Sequence, residues 1–518
     1  MKVRSLSVCQ TCRERKLGCD GKRPECTQCR FSERPCPGYK NKIIFVPQGS
    51  QPASRNKGDG SASGGVELDT SSHHLVSAFT TFRWSTVEEF FALGIAHFIP
   101  EPQLPLLPLE STTSQSLVCA SWLGVLPKIT DHGKYGSLLV QTIRTLGLSI
   151  LCKGSAKATW NSQRLESYCS AIHLLRNRLL ASNDNSHGET TAAIMTLTLS
   201  ELMFPTSKHG WIAHVKAVSE LMRHSGPAAF VAPPCHKLFV GFRALILTEA
   251  ILSRTWTFLE LPEWQNVPFQ QSGPSSLQRL LSCAVSLPSL LQQVDRLKDS
   301  TPDEAQCVAR DTLSALYITL QRLEKWEKFY HSSCQSPLYW LETSRGAHSG
   351  GTSTRSTYTG ALSFPNVVTA TSCIFLWAFK IVCLTEMDQL MTLYNIPRSD
   401  ICLDSHLAHQ LRDHSLDLSV KICQSMAYFL DDTMKFYGPG AAMFPFSIAY
   451  GTLYSYRDEL ADQVELCMHI NGRLSQKGFY IEPLYVKVRL CRPSNVRINI
   501  WDFPLTATFL SDPATLCI

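Results

Sequence analysis

Apolar residues recur every three or four positions from about residue 80 to residue 480, and this spacing predicts amphipathic helices. Two stripes illustrate the pattern: Leu165, Tyr168, Cys169, Ile172 and Leu179 form the first, and Trp211, Val215, Val218 and Met222 form the second. The second stripe ends before Gly226 and Pro227, a pair of residues that stops a helix. We expect both stripes to face a hydrophobic core.

Two tetrapeptides predict where helices begin. Ser85-Thr86-Val87-Glu88 has the S-x-x-E form of a capping box and should open a helix that runs toward Phe98. Thr301-Pro302-Asp303-Glu304 has the same form, with proline at the first helical position. The helix that it opens carries one apolar face, formed by Leu313, Leu316, Leu320 and Leu323.

Strands do not alternate with helices anywhere in this pattern, so residues 80–480 are predicted to form an all-helical bundle or a stacked-helix array. A Ser/Thr/Gly-rich segment at 345–363 is expected to be a surface loop. The C-terminal tail, 481–518, reads as strand-like pieces of uncertain order. The length of 518 residues suggests three or four folding units.

The segment 37–79 is predicted to be a flexible linker. Its central part, 48–73, is rich in glycine and serine and poor in apolar residues. Glycines at 58, 60, 64 and 65 would break a heptad pattern, so we expect no coiled coil there.

Before the linker, six cysteines repeat the half-motif C-x2-C-x6-C twice within 9–36. They are Cys9, Cys12, Cys19, Cys26, Cys29 and Cys36. Thiolates suit zinc, which takes four ligands in structural sites. Six thiolates cannot give two ions four private ligands each, so two sulfurs must bridge in one two-zinc cluster. A disulfide knot or a metallothionein-like metal store would be the alternatives, but the N-terminus has no apolar segment typical of secretion.

The spacing, the basic run after Cys12 and the loop residue Pro24 resemble the fungal Zn2Cys6 binuclear zinc cluster. The resemblance implies that Cys9 and Cys26 bridge two zinc ions and that the other four cysteines are terminal ligands. It also implies a short helix over 13–18 that enters the major groove of double-stranded DNA. Lys16 would read a CGG-type triplet, since guanine offers two acceptors there. The expected phosphate contacts are Arg13, Arg15, Lys22, Arg23 and Arg30.

The charge distribution agrees with a nucleic-acid partner. Residues 1–45 contain eleven Lys and Arg against four Asp and Glu, a net charge of +7. Because the whole chain carries +6, the remaining residues sum to −1. The basic charge is thus confined to the cysteine-rich segment, as a phosphate-binding surface requires.

Several phrases within 121–430 also resemble the middle regulatory domain of filamentous-fungal regulators. The two resemblances together imply a nuclear RNA polymerase II regulator, which could control a metabolic or secondary-metabolite pathway. Expected partners are DNA, the transcription machinery and a second subunit in a homo- or heterodimer formed through the helical domain, with no membrane. A zinc-cluster interaction or co-regulator module without its own DNA target is the alternative, and a helical enzyme with an appended cluster is another.

The rest of the sequence indicates neither an enzyme nor a membrane protein. Fourteen cysteines lie outside the cluster without a C-x2-C pair, and most are expected to be buried apolar residues. No nucleophile elbow, phosphate-binding loop or dinucleotide fingerprint occurs. The least charged stretch, 356–379, contains glycine, proline, serine and threonine, so we expect no membrane span.

Overall fold

The computed structural model describes residues 11–12, 15, 19, 26–32, 34, 36, 86–101, 120–130, 137–153, 158–180, 187–206, 210–334, 336–342, 360–396 and 405–479. The chain divides into two compact units, 1–73 and 74–518. In the first unit, the described residues include one short helix, α1 (Thr27–Phe31). The predicted linker, 37–79, and the predicted tail, 481–518, lie outside the described residues.

The second unit is helical along its described length. Its first part contains α2 (Val87–Phe98), α3 (Leu126–Thr130), α4 (Ser137–Lys153), α5 (Ala158–Leu180), α6 (His187–Met203) and α7 (Gly210–Ser225). Its second part contains α8 (Cys235–Ser253), α9 (Pro262–Asn266), α10 (Ser276–Ala284), α11 (Leu287–Arg296), α12 (Pro302–Ser333), β1 (Trp340–Glu342), β2 (Ala361–Ser363), α13 (Val367–Leu393), α14 (Ser405–Phe429), α15 (Tyr437–Ser455) and α16 (Ala461–Gln476). Short 3-10 turns connect several of these helices.

One hydrophobic core runs through this unit from Phe90 to Phe479. In the first part, α4 packs against α2, α5 and α6. In the second part, α13 packs against α12, α14 and α15, and α8 contacts both α7 and α11. The architecture is therefore a multilayered helical assembly, and the predicted fold class, a cysteine cluster followed by a mostly helical body, is confirmed.

The predicted core stripes are confirmed on α7 and α12 and only partly met on α5, where Tyr168 and Ile172 are half-buried against the core. Val215, Val218 and Met222 are fully buried on α7, and so are the four leucines predicted on α12. On α5, however, Cys169 is exposed and Leu179 is 56% exposed. The face of α5 that is buried instead carries Arg164, Ser167, Ala171 and Leu175.

Polar contacts between α4 and α5 explain this difference. The Ser167 hydroxyl lies 2.8 Å from the Thr145 hydroxyl and accepts a hydrogen bond of 3.0 Å from the Gln141 amide. Buried hydroxyls are tolerated when they are hydrogen-bonded. The face of α5 that contacts α4 is thus partly polar, which an apolar stripe alone does not indicate.

Both predicted capping boxes exist, and the first lies one residue later than expected. Thr86, rather than Ser85, is the N-cap of α2, and its hydroxyl accepts from the Glu89 N–H at 3.3 Å. The Glu89 carboxylate accepts in turn from the Thr86 N–H at 3.1 Å. At α12 the Glu304 carboxylate accepts from both the N–H and the hydroxyl of Thr301.

The predicted surface loop at 345–363 ends in a strand. Residues 361–363 form β2, which pairs antiparallel with β1, and Leu362 is 5% exposed. The hairpin packs on α14 through β2. The loop prediction is therefore wrong for its last three residues, because Leu362 is anchored in the core.

The expectation that most free cysteines are buried is only partly met. Of the ten cysteines outside the cluster that the structure describes, four are buried: Cys373, Cys383, Cys423 and Cys467. Four more are half-buried, while Cys169 and Cys307 are exposed. The Cys423 and Cys467 sulfurs lie 3.5 Å apart between α14 and α16.

Among the described helices, α13 alone is long and apolar enough to cross a membrane by length and composition. In this fold, 94% of its most apolar window is buried inside the protein. Its two charged residues with a buried side chain are both paired: Lys380 with Glu327 at 2.5 Å, and Glu386 with Arg254 at 2.6 Å. The helix is thus the central core helix of the second part of the body.

Candidate metal centre and nucleic-acid interface

The first unit is built around α1 and the cysteines at its N-terminal end. Cys26 is the N-cap of α1, and its sulfur accepts a hydrogen bond of 3.4 Å from the Cys29 N–H. Such a contact fixes the side-chain rotamer of a cysteine at a helix N-cap. The C-x2-C spacing therefore places Cys26 and Cys29 on the same side of the first turn.

A second helical turn supplies Cys12. Thr11 and Cys12 have helical geometry, and the Arg15 N–H donates to the Thr11 carbonyl at 3.3 Å. The helix predicted over 13–18 thus begins at least two residues earlier, and most of that range lies outside the described residues.

Three cysteine sulfurs converge. The Cys12 sulfur lies 3.7 Å from that of Cys26 and 3.9 Å from that of Cys29, and the three ligand atoms all lie within 4.8 Å of one another. Sulfurs at about 2.3 Å from a tetrahedral zinc ion stand roughly 3.8 Å apart, whereas a disulfide has an S–S distance of about 2.05 Å. These separations fit shared zinc ligation and exclude a disulfide between these cysteines.

The sulfurs form the interior of the unit. Cys12, Cys26 and Cys29 are 1%, 0% and 3% exposed, and Cys19 and Cys36 are half-buried against them. Three of the six predicted ligands thus have their sulfurs at metal-ligand spacing, and Cys19 and Cys36 pack against them. Cys9 lies outside the described residues. The assignment of Cys9 and Cys26 as the bridging pair stays a prediction.

Exposed cations surround this cluster where the structure describes them. Of the six predicted DNA contacts, Arg15 and Arg30 are described, and both side chains are exposed. Arg13, Lys16, Lys22 and Arg23 lie outside the described residues. The described part of the unit thus offers exposed positive charge, as phosphate binding requires, and the DNA contacts of all six residues stay predictions.

Sequence reasoning missed α1 and two residues near it. Phe31, in the last turn of α1, is 81% exposed, and Arg34 is exposed while its N–H donates to the Cys29 carbonyl at 3.0 Å. The signal was present in the repeated C-x2-C-x6-C half-motif: a helix in the first half implies a second one in the other half. Phe31 and Arg34 extend the exposed surface that a large ligand could contact.

Comparison with known proteins agrees with the geometry. Residues 7–43 match the family described as the fungal Zn(2)-Cys(6) binuclear cluster domain. A stretch of 98 residues is 28% identical to an uncharacterized protein of Emericella nidulans, and the match covers 19% of this chain and 21% of that relative. The chain thus spans about a fifth of the length of this curated relative. No solved structure matches the chain.

The family match, the cysteine spacing and the sulfur geometry all concern the same segment. Domains of this kind hold two zinc ions on six cysteines, and Cys12, Cys26 and Cys29 are already gathered for that purpose. Zinc is thus the cofactor of this unit. The N-terminal part of the chain, residues 7–43, belongs to the fungal Zn(2)-Cys(6) binuclear cluster domain family.

Proposed function

We propose that the protein is a nuclear transcription regulator that binds double-stranded DNA through its zinc cluster and reads CGG-type triplets in the major groove. The observation that carries this proposal is the convergence of three buried sulfurs inside a segment that matches a DNA-binding domain family. The two zinc ions supply structural stability, since a domain this small has little other core.

Lys16 is proposed to read the triplet, and the arginines are proposed to hold the phosphates. Guanine presents O6 and N7 as acceptors in the major groove, so a cationic donor is the natural reader. Arg13, Arg15 and Arg30 would instead fix the register of the domain on the duplex. Lys22 and Arg23 are proposed to contribute to the same phosphate surface. The exposure of Arg15 and Arg30 supports this role.

The helical body is proposed to be a regulatory domain that responds to signals or holds the transcription machinery. Its resemblance to fungal regulators supports this role. The rival interpretations are that the cluster only binds other proteins, and that the body is an enzyme. The first rival predicts no triplet preference in DNA binding, so a binding experiment separates it from the proposal. The absence of the common catalytic motifs from the sequence argues against the second.

The test compares Lys16→Ala and Arg13→Ala in the full-length protein. On a CGG-containing duplex, Lys16→Ala should cost about 1–3 kcal/mol and flatten the preference for that triplet over a scrambled one. Arg13→Ala should weaken binding to both duplexes by similar factors and reduce the slope of log K against log salt by about one. Fluorescence anisotropy at several salt concentrations measures both effects.

Lys128→Ala is the matched control, because Lys128 is an exposed cation of the helical body. Its affinity and triplet preference should equal those of the unsubstituted protein. Elemental analysis should give two zinc ions per chain for every variant, which shows that the cluster is intact. Unchanged triplet preference in a zinc-loaded Lys16→Ala protein would overturn the assigned reader, and absence of any triplet preference would overturn the function.

A further inference from the structure

The outer face of α12 carries an exposed stripe that the core does not use. This helix is 32 residues long, about 48 Å at 1.5 Å per residue. On its outer face Ile318 and Phe329 are 48% and 56% exposed, and Cys307, Asp311 and Lys325 are also exposed. The spacings between neighbours are those of residues one or two turns apart, so the five side chains share one face.

The stripe is symmetric about Ile318 in position. Asp311 and Lys325 lie seven residues before and after it, roughly 10 Å in each direction. Cys307 and Phe329 lie eleven residues before and after it, about 16 Å away. If two copies of α12 are placed antiparallel with Ile318 at the centre, Asp311 of one copy lies opposite Lys325 of the other. In the same arrangement, Cys307 of one copy lies opposite Phe329 of the other.

The charges along the exposed side of α12 favour the antiparallel arrangement over a parallel one. The exposed acidic residues Asp303, Glu304 and Asp311 lie in the first half of the helix. Three exposed basic residues, Arg322, Lys325 and Lys328, lie in the second half, and Arg310 is the one exposed cation of the helix in the first half. An antiparallel pair places the more acidic halves on the basic halves, whereas a parallel pair places like charges together.

Asp311 and Lys325 are available for such contacts. Within the part of the chain that the structure describes, neither forms an ion pair. The buried face of the same helix is occupied by α10, α11 and α13. Among the described elements, none covers the outer stripe, whose side chains are exposed.

We propose that α12 is a self-association surface on which a second copy of this chain docks with its own α12 antiparallel. Ile318 packs against Ile318 of the other copy at the two-fold axis, Asp311 pairs with Lys325 in both directions, and Phe329 covers Cys307. Two apolar side chains per copy and two ion-pair contacts make this a small, polar interface. We therefore expect a micromolar, salt-sensitive dimer rather than a permanent one.

This proposal does not depend on the DNA-binding function. A dimer formed here joins two chains through their helical bodies, and isologous contacts of this kind are the commonest form of homo-oligomer. The two proposals can therefore fail separately, because one is measured by subunit mass and the other by affinity for DNA.

The experiment is sedimentation velocity of the full-length, zinc-loaded protein between about 1 and 100 μM, a range that brackets micromolar dissociation. The unsubstituted protein should shift from monomer to dimer, and Asp311→Lys alone should weaken the dimer by at least about tenfold. Lys325→Asp alone should do the same. The double variant Asp311→Lys/Lys325→Asp should recover the dimer, since the opposite charges again face each other.

Recovery in the double variant separates a lost contact from a damaged fold. Ile318→Glu should also give a monomer, because it buries like charges at the two-fold axis. Met468→Glu is the matched control: Met468 is 61% exposed on α16 and lies outside α12, so the dimer should persist. A monomer at 100 μM for the unsubstituted protein, or a double variant no better than the single ones, would overturn the proposal.

Discussion

His214 is a buried histidine whose protonation differs between the folded and the unfolded chain. Its Nε2 lies 2.9 Å from the Tyr168 hydroxyl, which joins α7 to α5. Burial lowers the pKa of His214 to about 4. The folded protein therefore holds the imidazole neutral at a pH where the unfolded chain would protonate it.

We predict that His214 makes the protein less stable as the pH falls. Below about pH 6.5 the imidazole is protonated in the unfolded chain, whereas in the folded protein it stays neutral until the pH approaches its pKa of about 4. The free energy of unfolding therefore falls by about 2–3 kcal/mol between pH 7 and 4.5. His214→Gln should remove most of this loss, as followed by denaturant midpoints at both pH values.

The control is His224→Gln, because His224 is exposed on the same helix. The His224→Gln protein should lose as much unfolding free energy between pH 7 and 4.5 as the unsubstituted protein. A His214→Gln protein that loses as much stability as the unsubstituted one would show that other groups carry the effect.

For single residues, the sequence predicts a role that depends on neighbours close in the chain. It does not predict a role that depends on partners on another helix. The cysteine spacing identifies Cys12, Cys26 and Cys29 as ligands, because a metal site needs those atoms at short range. Nothing near Ser167 indicates that it is buried, because its hydrogen-bond partners lie on another helix. Tyr168 belongs to a predicted core stripe, yet the pattern gives no sign of its polar contact with α7.

At the scale of elements, two glycines allow helices to approach closely. A Cβ atom on Gly147 of α4 would lie 2.3 Å from the Phe90 ring of α2. A Cβ on Gly241 of α8 would lie 2.5 Å from the Trp122 ring. Both aromatic side chains are buried, at 4% exposure. These glycines are thus required by packing between helices rather than by backbone conformation.

We predict that Gly147→Ala destabilises the protein although alanine is the better helix former. The higher helix propensity of alanine stabilises the folded protein by about 1 kcal/mol, but the steric overlap of its methyl group with Phe90 destabilises it by about 1–3 kcal/mol. Gly472 lies within α16, and no atom lies within 4 Å of the position that an alanine methyl would take there. Gly472→Ala should therefore stabilise the protein by about 0.5–1 kcal/mol. Opposite shifts of the thermal midpoint are expected, and shifts of equal sign would contradict the packing argument.

Element boundaries follow from local signals, and element pairing does not. The capping box at Thr301 and the leucine face of α12 are predicted correctly because both depend on residues within a few turns. The hairpin of β1 and β2 is not predicted, since its strands are three residues each and are separated by a long polar segment. Leu362 gives it a core contact that only the tertiary fold creates.

At the scale of the whole molecule, Arg254 ties three helices together. It follows α8 with a left-handed backbone conformation, at φ 53°. Its guanidinium donates to both oxygens of Glu386 on α13, at 2.6 and 3.1 Å, and to Asp295 on α11 at 2.9 Å. The side chain of Glu386 is 1% exposed, so its carboxylate depends on this contact.

We predict that Arg254→Met lowers the free energy of unfolding by about 3–5 kcal/mol, because it leaves the Glu386 carboxylate buried and unpaired. The double variant Arg254→Met/Glu386→Leu should recover much of this loss, since it removes the stranded charge. Chemical denaturation of the single and double variants measures the coupling.

The exposed ion pair between Arg412 and Glu459 provides the comparison. Its side chains are 41% and 62% exposed, and Arg412→Met should cost no more than about 1 kcal/mol. Equal losses from Arg254→Met and Arg412→Met would mean that the buried network contributes no more than a surface pair.

The burial of α13 has a consequence for the synthesis of the chain. A ribosome completes α13 at Leu393, but α14 and α15, which cover it, end only at Phe429 and Ser455. At about 5–20 residues per second, the intervening chain takes roughly 3–12 s to make. During those seconds the nascent polypeptide offers an apolar helix of membrane-spanning length without its cover. An apolar surface left exposed during synthesis is prone to aggregation, so the order of synthesis makes this helix the segment of the described body that most needs protection before the chain is complete.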